Sequence, residues 1–122
     1  MHDMASVARK LGFTSRVHRQ KHLSNGRIPD LWCDAGVVGE VKNQVTAARG
    51  PDQIEDYIEQ CERQWPEHSW RGVLVQGQPE MAPNAYPRLK ESKYRRRIEV
   101  WAVQEEGRGR VTVDRLFPKA RS

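Results

Sequence analysis

Two carboxylates and an ammonium stand close together in the chain: Asp30, Glu40 and Lys42. They can meet only if the residues between them fold back. Residues 28–33 and 37–42 are short β-prone runs, and Asp34-Ala35-Gly36 between them is turn chemistry, with Gly36 free to take a positive φ. A hairpin centred on Ala35 sets Asp30 directly opposite Glu40, with β-carbons ~5 Å apart. Strand alternation then puts Lys42 on the same face as Glu40.

Such an arrangement is unfavourable for stability alone. Like charges directly opposite on adjacent strands destabilise the pair, and one carboxylate's pKa rises unless a cation lies between them. A divalent ion removes the conflict. Hard oxygen ligands on a rigid ribbon suit Mg²⁺, which accepts one or two carboxylates together with waters and substrate phosphate. Lys42 can then orient or polarise an attacking water, or neutralise charge developing on a phosphate. The bland reading is an exposed hairpin carrying ordinary surface charges.

The elements that must position these residues follow from the rest of the chain. Its 122 residues suit one domain, 1–122, with a single core. A composition 37% hydrophobic and 30% charged is that of a globular protein rather than a disordered one. No apolar run approaches the ~20 residues needed to span a membrane, and the N-terminus lacks a signal peptide's apolar core. Cys33 and Cys61 fall in no metal or disulfide spacing. A reduced, cytoplasmic setting is the expectation.

The first helix is expected over residues 4–11, stopping at Gly12, and a poorly patterned first strand over 13–23. Pro51-Asp52 opens the clearest helix. Ile54, Tyr57, Ile58 and Cys61 form its buried stripe, and Pro66 sets its end near Gln64 or Trp65. Gln53 and Tyr57 lie one turn apart on it and read either as site residues or as surface and core. Residues 70–75 read as a buried parallel strand, 77–87 as an irregular connection and 86–97 as a short helix. Residues 98–104 and 111–117 complete a terminal hairpin. The loop 46–50 is placed to close over a bound backbone, and Gln44 extends the Glu40–Lys42 face if the strand runs that far.

The net charge is +5. Basic residues gather before Asp30, between Arg88 and Arg97, and at the C-terminus, while Asp52, Glu55, Asp56, Glu59 and Glu62 crowd the central helix. Cationic flanks around a metal-type centre suit a polyanion such as nucleic acid. Arg27, Lys21, His22, Gln44, Arg95, Arg96 and Arg97 are candidate contacts; a basic surface serving only solubility is the alternative. His18 and His22 have a metal-ligand spacing only within a helix.

Pro29-Asp30, nine intervening residues and Glu40-Val41-Lys42 resemble the signature of the PD-(D/E)xK nuclease superfamily. Gln53-Ile54-Glu55-Asp56-Tyr57 resembles the Gln-x-x-x-Tyr element of its RecB-like branch. Residues 27–60, about a quarter of the chain, carry the likeness, which extends to restriction-endonuclease-fold toxin domains. The resemblance implies an α/β fold with an α-β-β-β-α-β core, a mixed central sheet and the motif on its second and third strands. It implies Mg²⁺, with Mn²⁺ able to substitute, on Asp30, Glu40 and the Val41 carbonyl, and Lys42 acting on water. Asp3 is a weaker third ligand. The implied activity is phosphodiester hydrolysis, foremost by a DNA endonuclease, with Gln53 and Tyr57 supporting the site. Three roles are compatible. One is a free-standing bacterial or phage nuclease, possible as a homodimer; a self-contained chain beginning with Met favours it. Another is a toxin module acting in a target cell's cytoplasm and restrained by an immunity protein. The third is a non-catalytic basic nucleic-acid-binding domain.

Overall fold

The computed structural model describes residues 17–18, 21–107 and 110–119. The helix expected over 4–11, its stop at Gly12, and Asp3 lie outside them. One sheet carries six strands in sequential order: β1 (Val17–His18), β2 (Leu31–Cys33), β3 (Val37–Lys42), β4 (Arg71–Gln76), β5 (Ile98–Glu106) and β6 (Arg110–Phe117). β3, β4 and β5 run parallel; the pairs β1–β2, β2–β3 and β5–β6 are antiparallel. The sheet is therefore mixed and ends in the expected C-terminal hairpin.

The β2–β3 hairpin has the register anticipated from its turn: Leu31 faces Gly39, Trp32 faces Val38 and Cys33 faces Val37. Gly36 takes a φ of +94° and donates its N–H to the Cys33 carbonyl at 3.0 Å, closing a three-residue connection. Pairing begins at Leu31 rather than at residue 28. Pro29 has no N–H to give a ladder, so Asp30 sits one residue ahead of β2.

The helix α1 (Pro51–Gln64) crosses from β3 to β4 with Ile54, Tyr57, Ile58 and Cys61 buried, as their spacing predicts. It lies close on the sheet because Gly72 of β4 has no side chain. A Cβ there would come within 2.6 Å of Ile54 Cγ1 and 2.7 Å of Ile58 Cδ1. The main core joins α1 to Trp32, Val38, Leu74 and Val100, and a second apolar cluster of Leu31, Cys33, Val37, Val73, Val75 and Val103 occupies the other face.

Three expectations need correction. Lys21, His22 and Leu23 are not strand, and β1 contains only Val17 and His18 among the described residues. His18 is therefore extended, not helical, and the helical His18/His22 metal spacing does not arise. Residues 86–97 divide into α2 (Ala85–Lys90) and a 3₁₀ turn (Arg95–Arg97). The division falls at Ser92, which is buried: its hydroxyl accepts the Tyr94 N–H and donates to Glu55, local bonding that competes with helix continuation.

The acidic helix is not left bare. Arg88 bonds Asp52 and Glu55, each at 2.5 Å; Arg27 pairs with Asp56 at 3.4 Å, Arg63 with Glu59 at 2.6 Å, and Arg97 with Glu62. Arg27, Arg88 and Arg97, three of the cations that the sequence offers to a polyanion, are thus engaged within the fold.

Candidate functional site

The hairpin delivers its carboxylates to the C-terminal end of β3, where parallel strands and the following helix leave a crevice. Val38, Glu40 and Lys42 alternate onto the α1 side of the sheet. Glu40 is 8% exposed. Its Oε2 accepts a hydrogen bond from the Tyr57 hydroxyl at 2.6 Å, and that hydroxyl accepts one from Gln53 Nε2 at 3.1 Å. One turn of α1 thereby fixes the Glu40 rotamer through a chain of two side chains. Burial, and next the Tyr57 hydroxyl's bond to Glu40, push the phenol above its ordinary range, so it stays a donor at neutral pH.

Asp30 is exposed, and its Oδ2 accepts the Val41 N–H at 2.9 Å. That bond carries the hairpin register one step past the last strand pair and holds Asp30 beside Glu40. The Glu40 carboxyl is pushed up to about 8, first by burial and then by Asp30; Tyr57 and Lys42 oppose the rise. A buried carboxyl kept from ionising by a second one marks a candidate functional site.

The segment ahead of Asp30 is strapped to α1. Ser24 bonds Gln64 and Gln60, Asn25 bonds Asp56, and the Leu23 N–H donates to the Arg27 carbonyl at 2.9 Å. Arg27 consequently enters a cleft of about 380 Å³ lined also by Lys42, Ala48, Arg49, Gly50, Asp52, Gln53 and Asp56. The structure thus joins Arg27, Asp30, Glu40, Lys42, Gln53 and Tyr57.

Other candidates are placed elsewhere. Lys21 Nζ lies 4.5 Å from the Trp32 ring centroid and 5.4 Å from that of Trp65, and His22 is exposed beside it in the chain. β3 stops at Lys42, so Gln44 does not extend its face; its amide donates to the Glu80 carbonyl at 2.9 Å. Arg95, Arg96 and Arg97 precede β5 at the sheet edge where Ile98 pairs with Gly72, whereas Lys42 pairs with Gln76. At ~3.3 Å per residue that separates them from the site by roughly 15 Å along the strands. Cys33 and Cys61 are free and buried, and burial pushes the Cys61 thiol up to about 12, so Cys61 offers no thiolate.

Gln76 escaped notice in the sequence because a glutamine ending an apolar strand reads as surface. It is fully buried. Its Oε1 accepts the Val45 N–H at 2.7 Å, and its Nε2 donates to the carbonyls of Gln78 and Glu80. Asn84 accepts the Ala47 N–H at 3.1 Å, and Thr46 and Arg49 exchange backbone bonds. The 46–50 loop is therefore hydrogen-bonded in place where Ala48, Arg49 and Gly50 line the cleft. Gln76→Leu should lower stability by about 2 kcal/mol, because the buried Val45 N–H loses its acceptor; a thermal melt unchanged within about 2 °C would argue against that role.

Among the described residues no group of three or more His, Cys, Asp and Glu side chains forms a metal cluster. The donor set is a pair, Asp30 and Glu40. Two hard oxygens with Glu40 hindered from ionising fit a Mg²⁺ that completes its shell with waters and phosphate.

No family model matches the chain, and no curated protein matches it in sequence. In structure it is similar to a repair endonuclease from Pyrococcus abyssi, with a TM-score of 0.61 and 20% identity over 84% of this chain. The chain spans 46% of that one. This likeness shows the fold: a restriction-endonuclease-like α/β core with a mixed sheet.

Proposed function

We propose that the protein is a Mg²⁺-dependent nuclease of the PD-(D/E)xK type that hydrolyses phosphodiester bonds, with DNA as its substrate. The observation that carries the reading is Glu40: buried, disfavoured by Asp30, tethered by Tyr57 and Gln53, and two residues along its strand from Lys42, which lines the neighbouring cleft with Gln53. The resemblance of the motif to nuclease signatures and the endonuclease-like fold agree with it.

Asp30 and Glu40, with the Val41 carbonyl, would hold the ion. When bound it would lower the pKa of a coordinated water and offset charge on the phosphate. The protein's own groups supply the rest. Tyr57 and Gln53 keep Glu40 in one rotamer, and the Asp30–Val41 bond fixes the second carboxylate. Lys42, half-buried on the Glu40 face, directs its ammonium at the attacking water and at the phosphoryl oxygens. Such preorganised donors are worth more in a cleft than in open water.

The test is cleavage of supercoiled plasmid, linear duplex, single strand and four-way junction, each with Mg²⁺ or EDTA, by the parent, Glu40→Gln and Lys42→Ala. Mg²⁺-dependent cutting that both variants lose is expected. Binding without cutting, equal in all three proteins, would replace the nuclease by a nucleic-acid-binding domain.

A further inference from the structure

The cleft beside Glu40 contains five charged side chains: Arg27, Lys42, Arg49, Asp52 and Asp56. Two of the walls are balanced. Asp56 is held by Arg27 and Asn25, and Asp52 by Arg88. Lys42 serves the reacting centre on the reading above. Arg49 is different. Among the described residues its guanidinium has no carboxylate partner, and it is exposed at the cleft rim.

Its backbone is nevertheless tightly held. The Arg49 N–H donates to the Thr46 carbonyl and to Thr46 Oγ1, at 3.2 and 3.0 Å. The same loop is anchored by Gln76 at Val45 and by Asn84 at Ala47. Next to Arg49, Gly50 takes a φ of +120° and packs against Leu74 and Val45, turning the chain into α1. A loop held at three points to carry one unpaired cation has little local stabilisation to show for that cation. Fixing the carrier beforehand does reduce the ordering cost when an anion arrives.

We infer that Arg49 is a substrate-contacting residue, gripping a backbone phosphate next to the one attacked at Glu40 and Lys42. A guanidinium presents a planar fork that matches two phosphate oxygens. Arg27 lines the same cleft, but its pairing with Asp56 makes it the weaker contact. The inference rests on the nuclease reading for the word substrate. Its chemistry, an Arg-phosphate contact in this cleft, is tested separately from cutting.

The probe is a short fluorescein-labelled DNA duplex, titrated by anisotropy with Glu40→Gln protein at several salt concentrations. Adding Arg49→Ala should weaken binding about tenfold. It should also flatten the dependence of log Kd on log salt by ~0.9, the loss of one phosphate contact. Arg63→Ala is the control for net charge, since Arg63 lies at the far end of α1 paired with Glu59; it should change neither quantity. Equal binding by Glu40→Gln with and without Arg49→Ala, or an equal loss from Arg63→Ala, would overturn the inference. If the parent fails to cut DNA while the Arg49 effect stands, the nuclease reading falls and the phosphate contact survives it.

Discussion

Glu40→Gln is expected to lose about 10³-fold or more of plasmid cleavage and yet to melt higher than the parent in metal-free buffer near pH 9. The loss follows from removing one of two anionic oxygens at the site. The gain follows from linkage. In the fold Glu40 holds its proton up to about 8, against an ordinary 4.5. A carboxyl with a raised folded pKa contributes stability that is fully present below the unfolded value and is lost as pH rises through the folded one. Above about 8 the parent therefore carries a buried anion facing Asp30, while the variant carries a neutral amide. That amide can still accept the Tyr57 hydroxyl's hydrogen bond and can donate to Asp30. The difference is worth a few kcal/mol, or roughly 5 °C or more in Tm. Near pH 5 the parent carboxyl is protonated, and the two proteins should melt within about 2 °C of each other. A variant less stable than the parent at both pH values would show that Glu40 serves the fold rather than a charge-demanding site.

The second large effect concerns the Mg²⁺ requirement that the proposed nuclease reading implies. Below about 8 Glu40 must release a proton before its oxygens can ligate. The Mg²⁺ concentration for half-maximal cleavage should therefore fall about tenfold per pH unit as pH rises towards 8, and level off above it. Tyr57→Phe removes a donor that favours the carboxylate, so its levelling-off point should move to higher pH, with cleavage near pH 7 reduced about tenfold or more and partly restored by added Mg²⁺ or base. Initial rates over a grid of pH and Mg²⁺ give both curves. A Mg²⁺ requirement that is flat with pH would remove Glu40 as a ligand.

Spacing along the chain specifies the local features. The hairpin register follows from one three-residue turn and the period of two, so the approach of Asp30 to Glu40 and the face shared by Glu40 and Lys42 were legible without coordinates. The bounds and buried stripe of α1 follow from Pro51, Pro66 and the helical period, and the parallel position of β4 from its continuous apolar run. Even the Gln53–Tyr57 spacing was readable as one helical turn. That Tyr57 both fills the core and bonds Glu40 was not, since that depends on how closely α1 lies on the sheet, which Gly72 decides.

The tertiary structure alone decided the fate of the charges. Along the chain Arg95, Arg96 and Arg97 look like the strongest phosphate site, and Arg49 looks like any loop arginine. Folding sends the triplet to the start of β5, away from Lys42, with Arg97 given to Glu62, and leaves Arg49 at the cleft with no carboxylate partner among the described residues. Lys21 goes to a tryptophan pair, Arg88 to two carboxylates of α1, and Gln76 into the core as the brace of the cleft loop. The reason is range. Hydrogen-bonded turns and periodic burial act over a few residues and are written in spacing, whereas a long charged side chain chooses among partners that only the packed elements bring within reach.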